Sequence, residues 1–330
     1  MSGVRMACLT LSACAIPLAA AATVTDPGGP VAAEEWAHLH RVVLWTMVAV
    51  APVLVGVPLL LWRYRYRGAS GTAAYRPRWT FNWIVEIAAW GVPLTIIAIL
   101  GWQLWHSVYR LDPYRRGVTE GTRLPVQVVG LDWKWLFIYP EQGIASVGEL
   151  VFPQGDFLAL DLTTDTVMQS FAISSLGGQI YAMPGMVTQL HLSADAPGTF
   201  EGENMQYSGD GFWRQKFTAR AVPRPDFDAW VERVRAQGVP LDAASYDVVA
   251  TRGTRRDIVW ALGLPASEGD VIHFASVPDG WFDRIVSRYH VPALLPPEDQ
   301  PGTNRFGRPS GTADRDPGDP TVFEGGRVDG

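Results

Sequence analysis

The chain has 330 residues, 27 of them Lys or Arg and 33 Asp or Glu, for a formal net charge of -6. That balance leaves no basic footprint for nucleic acid, and the length accommodates two or three structural parts. The only two cysteines, Cys8 and Cys14, lie near the N-terminus, so the folded body has neither a disulfide framework nor a cysteine metal site.

The opening residues carry Arg5, a short apolar run and then Leu11-Ser12-Ala13-Cys14. Small residues before a cysteine resemble a bacterial lipobox. This predicts a lipoprotein signal peptide over 1–13, with Cys14 as the lipidated mature N-terminus anchored in membrane lipid. An ordinary signal peptide or a buried cysteine is the plainer alternative. Residues 14–41 are then an external segment. Within it His38 and His40 stand two apart, a spacing that turns them to different faces of a helix and argues against a shared metal.

Val42 to Trp62 is uncharged and rich in Val, Leu and Ala, about the 20 residues a bilayer core demands. A second apolar run extends from Ile84 to His106, with Trp90, Trp102 and Trp105 towards its ends, as in interfacial belts. Residues 42–107 are therefore expected to form a transmembrane helical hairpin. Arg63, Arg65, Arg67, Arg76 and Arg78 lie between the spans with no acidic residue before Glu86. By the positive-inside rule, loop 63–83 is cytoplasmic and everything after the second span is external. Glu86 sits just inside the cytoplasmic end of that span. Its alternatives at this point are a proton-accessible group and a carboxylate paired with Arg76 or Arg78 at the headgroups.

From Leu124 the pattern changes to short strand-like runs with turn signals between them, as in a β-sandwich or barrel. The expected strands are Val126 to Val129, Asp132 to Tyr139, Val147 to Phe152, Phe157 to Leu162, Val167 to Ile173, Val187 to Leu192 and Phe217 to Val222, which suits a Greek-key domain over 124–223. His191 lies on one of these strands without a second ligand at metal spacing. Gly202 to Lys216 is a polar, glycine-punctuated loop placed where a soft metal is held in such barrels, yet it contains no Cys or His. After Pro223 the period becomes helical, with Asp226 as a candidate cap, a stop at Gly238-Val239-Pro240, and further helices over Leu241 to Ala250 and Trp281 to Tyr289. A helical region over 224–295 and a disordered tail over 296–330 complete the expected fold: a membrane-anchored α+β chain.

At Asp132-Trp133-Lys134-Trp135-Leu136-Phe137-Ile138-Tyr139-Pro140-Glu141-Gln142-Gly143-Ile144-Ala145 the chain resembles subunit II of bacterial heme-copper ubiquinol oxidases of the cytochrome bo type. The likeness continues through Gly178-Gln179-Ile180-Tyr181-Ala182-Met183, Tyr207-Ser208-Gly209 and Phe227-Asp228-Ala229-Trp230-Val231, and covers roughly residues 11 to 290. It implies a cupredoxin-like external domain.

The related cytochrome c oxidase subunit II holds a two-copper centre made of thiolates, imidazoles, a thioether and a backbone carbonyl, because soft ligands delocalise an electron with little rearrangement. On that pattern the imidazole positions fall on Gln169 and Phe212, the thiolates on Asn204 and Ser208, the thioether on Gln215 and the carbonyl on Gln206. Every side-chain ligand is replaced, which implies no metal and no cofactor on this chain. Trp133 matches the family's electron-entry tryptophan and is expected here as a packing residue.

The resemblance further implies a proton-pumping ubiquinol oxidase in the bacterial inner membrane. Heme and copper would be in partner subunit I, ubiquinol would be the substrate of the complex, and subunits III and IV would be further partners. The spacing of Asn82, Glu86, Trp90 and Pro93 is similar to the family's second span, which implies Glu86 as a proton-entry group. The rival readings are a copper-bearing cytochrome c oxidase subunit and a stand-alone lipoprotein with a copper-free cupredoxin domain used for binding.

Overall fold

A computed structural model describes residues 27–65, 81–114, 121–265, 268–290, 296–301, 303 and 306. The candidate lipobox and most of the Arg-rich loop lie outside the described residues. Two long helices, α1 (Pro30–Tyr64) and α2 (Trp83–Arg110), form the hairpin. The first starts well before the apolar span that begins at Val42. Pro30, at the first helical position, has a preset φ and no N–H to leave unsatisfied. Ile96, Leu100, Gln103 and Ser107 form the more enclosed stripe of α2, and the Ser107 hydroxyl lies 2.9 Å from His38 Nδ1 on α1. The external end of α1 is joined to the β-domain. Gly28 N donates to Ser175 O (2.7 Å), and Gly178 N donates to the Glu35 carboxylate (3.1 Å).

The β-domain has two sheets. One contains β1 (Arg123–Leu131), β2 (Lys134–Tyr139), β3 (Ile144–Val147), β5 (Phe157–Thr164) and β8 (Thr188–Leu192). The other contains β4 (Glu149–Pro153), β6 (Gln169–Ala172), β7 (Gln179–Ala182), β9 (Gly198–Asn204) and β10 (Lys216–Val222). The run expected as one strand from Val147 to Phe152 is divided. Gly148 adopts φ +90°, a conformation closed to most side chains, and there the chain crosses from the first sheet to the second.

The region after Pro223 contains the expected helices and also strands. It comprises α3 (Arg224–Gln237), β11 (Val239–Pro240), α4 (Ala243–Ala250), α5 (Arg255–Ala261), β12 (Ile272–Ser276) and α6 (Trp281–Ser287). β12 pairs antiparallel with β3 and carries β11 at its outer edge, so this region extends the first sheet as well as covering it. Asp226 is not the cap of α3. Pro223 holds that position and Asp226 lies in the first turn, where a carboxylate still complements the helix dipole. Pro297–Asp299 forms a 3-10 turn, and Phe306 packs on the C-terminal layer; the tail beyond 306 lies outside the described residues.

Strand alternation explains why every residue of β2 is buried. Trp135, Phe137 and Tyr139 point into the core between the sheets. Leu136 and Ile138 point the other way, into a second core with Tyr246, Val249, Ile258 and Phe282. The first sheet is thus covered on both faces, by the second sheet and by the C-terminal helices.

Candidate functional site

At one end of the sandwich β6, β9 and the start of β10 bring together four side chains widely spaced in sequence. Gln169 and Gln215 are fully buried, and Asn204 and Ser208 nearly so. Asn204 Nδ2 donates to Ser208 Oγ (3.1 Å) and to Gln215 Oε1 (3.0 Å). Gln215 Nε2 donates to Gln169 Oε1 (2.6 Å) and to Lys134 O (3.3 Å). Gln169 Nε2 donates to Leu131 O (3.1 Å) and Thr166 Oγ1 (3.2 Å). Asn204 Oδ1 accepts from the backbone N–H groups of Ser170 (2.9 Å) and Gln206 (3.0 Å).

A primary amide has two N–H donors and one carbonyl acceptor. Here all six donors of the three amides are engaged and each carbonyl oxygen accepts, so the cluster satisfies its own polarity without a charge. Space is also tight: a Cβ on Gly130 would stand 2.3 Å from Gln169 Oε1.

Phe212, expected in the volume of an imidazole, has a different neighbour. It lies on the 3-10 turn Phe212–Arg214, half-buried, with its ring edge-on to Tyr207 at 5.1 Å. Gln206 joins the cluster through its backbone N–H. Trp133 stands over the loop: its indole N–H donates to Ser208 O (2.9 Å), and Gly211 is so close that a Cβ there would overlap the ring. The Arg252 guanidinium caps the indole at 4.9 Å.

The family model described as cytochrome c oxidase subunit II, periplasmic domain, matches residues 141–211. The cytochrome bo(3) ubiquinol oxidase subunit 2 of Pseudomonas putida is 38% identical over 288 residues, which are 87% of this chain and 83% of that protein. The ubiquinol oxidase subunit 2 of Acetobacter aceti is 40% identical over 269 residues, 81% of this chain and 82% of its own length. The chain belongs to the ubiquinol oxidase subunit II family. It is accordingly one subunit of a larger oxidase complex, an inner-membrane protein with two spanning helices and a periplasmic domain.

Three buried charges that the sequence did not single out tie the C-terminal layer of this subunit II to the sheets. Lys134 is 1% exposed, and its Nζ donates to the carbonyls of Asp132 (2.7 Å), Thr251 (2.6 Å) and Gly253 (3.2 Å). Burial draws its pKa down to about 7 against the opposing pull of Asp132 and Asp257. Asp165, fully buried, accepts from Tyr246 (2.6 Å), Arg288 (2.8 Å) and Tyr289 (2.8 Å). Burial raises its pKa, with Arg288 and the tyrosines opposing.

Glu149 is held by Trp230 Nε1 (3.0 Å), His273 Nε2 (2.6 Å) and, at 3.6 Å, Arg220. Burial works to raise the Glu149 pKa, but His273, Arg220 and Trp230 together hold it below the usual value. The only local signal for Lys134 and Glu149 was a charge within an otherwise apolar strand pattern, and Asp165, in the polar run Thr163–Thr166 between strands, gave none. Their partners lie far along the chain, beyond the reach of periodicity.

In the hairpin, Asn82 caps α2 by accepting from the N–H groups of Ile84 and Val85. Glu86 follows in the first turn, exposed, with Trp90 Nε1 donating to its Oε2 at 3.3 Å. Arg76 and Arg78 lie outside the described residues. His191 stacks at 4.8 Å on Phe157, and among the described residues no three His, Cys, Asp or Glu side chains cluster as a metal site.

Proposed function

We propose that this chain is the subunit II of a proton-pumping terminal quinol oxidase that holds no metal of its own. Electrons pass from ubiquinol to heme and copper centres of subunit I. The observation that carries this reading is the closed amide cluster of Gln169, Asn204 and Gln215 with Ser208. These residues do not fit a two-copper centre. Neutral amides and a hydroxyl replace the anionic, soft thiolates and the other ligands that copper of this kind needs, and the amide hydrogens are already spent on one another, on backbone carbonyls and on Thr166. Trp133, hydrogen-bonded to the loop and capped by Arg252, then serves as a packing residue.

Metal analysis of the purified complex, with quinol and cytochrome c compared as donors, tests this. We expect quinol-driven turnover and no copper beyond that of subunit I. Two additional coppers, or turnover with cytochrome c alone, would sink it. The site positions have their own test. Gln169→His, Asn204→Cys, Ser208→Cys, Phe212→His and Gln215→Met introduced together are expected to bind copper, and a folded variant that stays colourless under copper loading means the positions are misassigned.

The same reading packs the hairpin on subunit I, with subunits III and IV as further partners, and makes Glu86 the collector of protons from the cytoplasm. A carboxylate among apolar residues near a membrane end is costly unless used. Glu86→Gln is expected to slow turnover and proton uptake. Cys14 is the lipid attachment point after removal of residues 1–13, and loop 63–83 is cytoplasmic. Cys14→Ser should abolish the mass of the attached acyl chains.

A further inference from the structure

The cytoplasmic end of α2 carries a side chain committed to the Glu86 carboxylate, that of Trp90. Trp90 lies one turn further along, and helix side chains lean towards the N-terminus, so an i, i+4 pair of this order converges. The indole Nε1 lies 3.3 Å from Glu86 Oε2. The start of the helix is fixed beneath them by the Asn82 side chain on Ile84 and Val85 and by Glu86 N donating to Asn82 O (3.0 Å). Both side chains lie away from the stripe that meets α1, and Trp90 is 70% exposed. A carboxylate at this depth needs protein or water over it.

From this geometry we infer that Trp90 is a positioning residue for Glu86: its indole N–H aims the carboxylate for proton uptake. The inference rests on the proton-collecting role of Glu86. An indole N–H donates one hydrogen bond and neither accepts nor releases a proton at working pH. Trp90 therefore orients the carboxylate without relaying protons itself. The plainer role for a tryptophan here is that of an interfacial anchor whose ring, not its N–H, matters.

The two roles separate in the assembled oxidase by crossing two substitutions, with heme content per complex confirming assembly. Trp90→Phe keeps an aromatic ring and loses the donor. Trp90→Gln loses the ring and keeps an N–H donor within reach of Glu86. Positioning predicts that Trp90→Phe lowers quinol oxidase turnover and proton uptake by about threefold or more, while Trp90→Gln stays within about twofold of the parent. It further predicts that Trp90→Phe has no added effect in a Glu86→Gln background.

Any other pattern overturns the inference: Phe unimpaired, Phe and Gln equally impaired, or an undiminished Phe effect beside Glu86→Gln. If Glu86→Gln impairs turnover and Trp90→Phe does not, only the role of Trp90 falls. If Glu86→Gln leaves turnover unchanged, the proton-entry reading falls and this inference with it.

Discussion

Two buried polar regions of the external domain solve the same problem by opposite means. At the loop end, Gln169, Asn204, Ser208 and Gln215 satisfy one another as neutral groups. Along the seam with the C-terminal layer, Lys134, Asp165 and Glu149 are ionisable groups buried against partners more than eighty positions away, among them Thr251, Arg288 and His273. A neutral cluster can close on itself and on nearby backbone, because it needs no counter-charge. A charged seam makes the layer across it indispensable, since an ion stripped of its partner inside a protein costs far more than an unpaired amide.

The comparison is broken most forcefully at Asp165. Asp165→Ala leaves the Arg288 guanidinium and two tyrosine hydroxyls without their shared acceptor, and should cost about 3–5 kcal/mol. Hydrogen exchange in α4 and α6 of the purified complex should rise accordingly; protection equal to the parent's would show that the seam is not held by this charge. At the neutral end, Gln215→Leu leaves one hydrogen of Asn204 Nδ2 and the Gln169 Oε1 acceptor without a partner, and should cost about 1–3 kcal/mol. That loss is expected to be the same at pH 5 and pH 8, and a pH-dependent loss would mean an ionised group participates in the cluster.

The smallest effect is a pH dependence at Glu149. Its pKa lies below the ordinary carboxylate value of 4.5 in the folded protein, so the unfolded chain binds the proton more readily. The resulting stability is fully present above the unfolded value and is lost as pH falls through the lower, folded one. Thermal melts from pH 6 to pH 3 should show this acid limb, and Glu149→Gln should flatten it. An unchanged limb in that variant would assign the acid sensitivity elsewhere in the seam.

Much of the architecture was legible from residue patterns alone. Two long apolar runs marked the hairpin because a bilayer imposes a length, and period-two runs marked most β-strands because one pleat face meets a core. β7, β9, β11 and β12 were not seen, and of β3 only Val147 fell in an expected strand. Gln179–Ala182 is short and largely exposed, and Gly198–Asn204 is polar and half-exposed, while Ile272–Ser276 sits among helices and becomes a strand where β3 offers it an edge. The break at Gly148 was missed because an apolar run shows no sign of changing sheets.

The sequence by itself determined the family and the hairpin. These depend on residue type and spacing, which folding does not alter. Only the tertiary structure decided that Gln169, Asn204, Ser208 and Gln215 close on one another while Phe212 turns to Tyr207, and that Lys134 serves a loop more than a hundred residues on. Hydrogen bonds between such distant groups are fixed by how strands and layers meet, and no local pattern along the chain encodes that meeting.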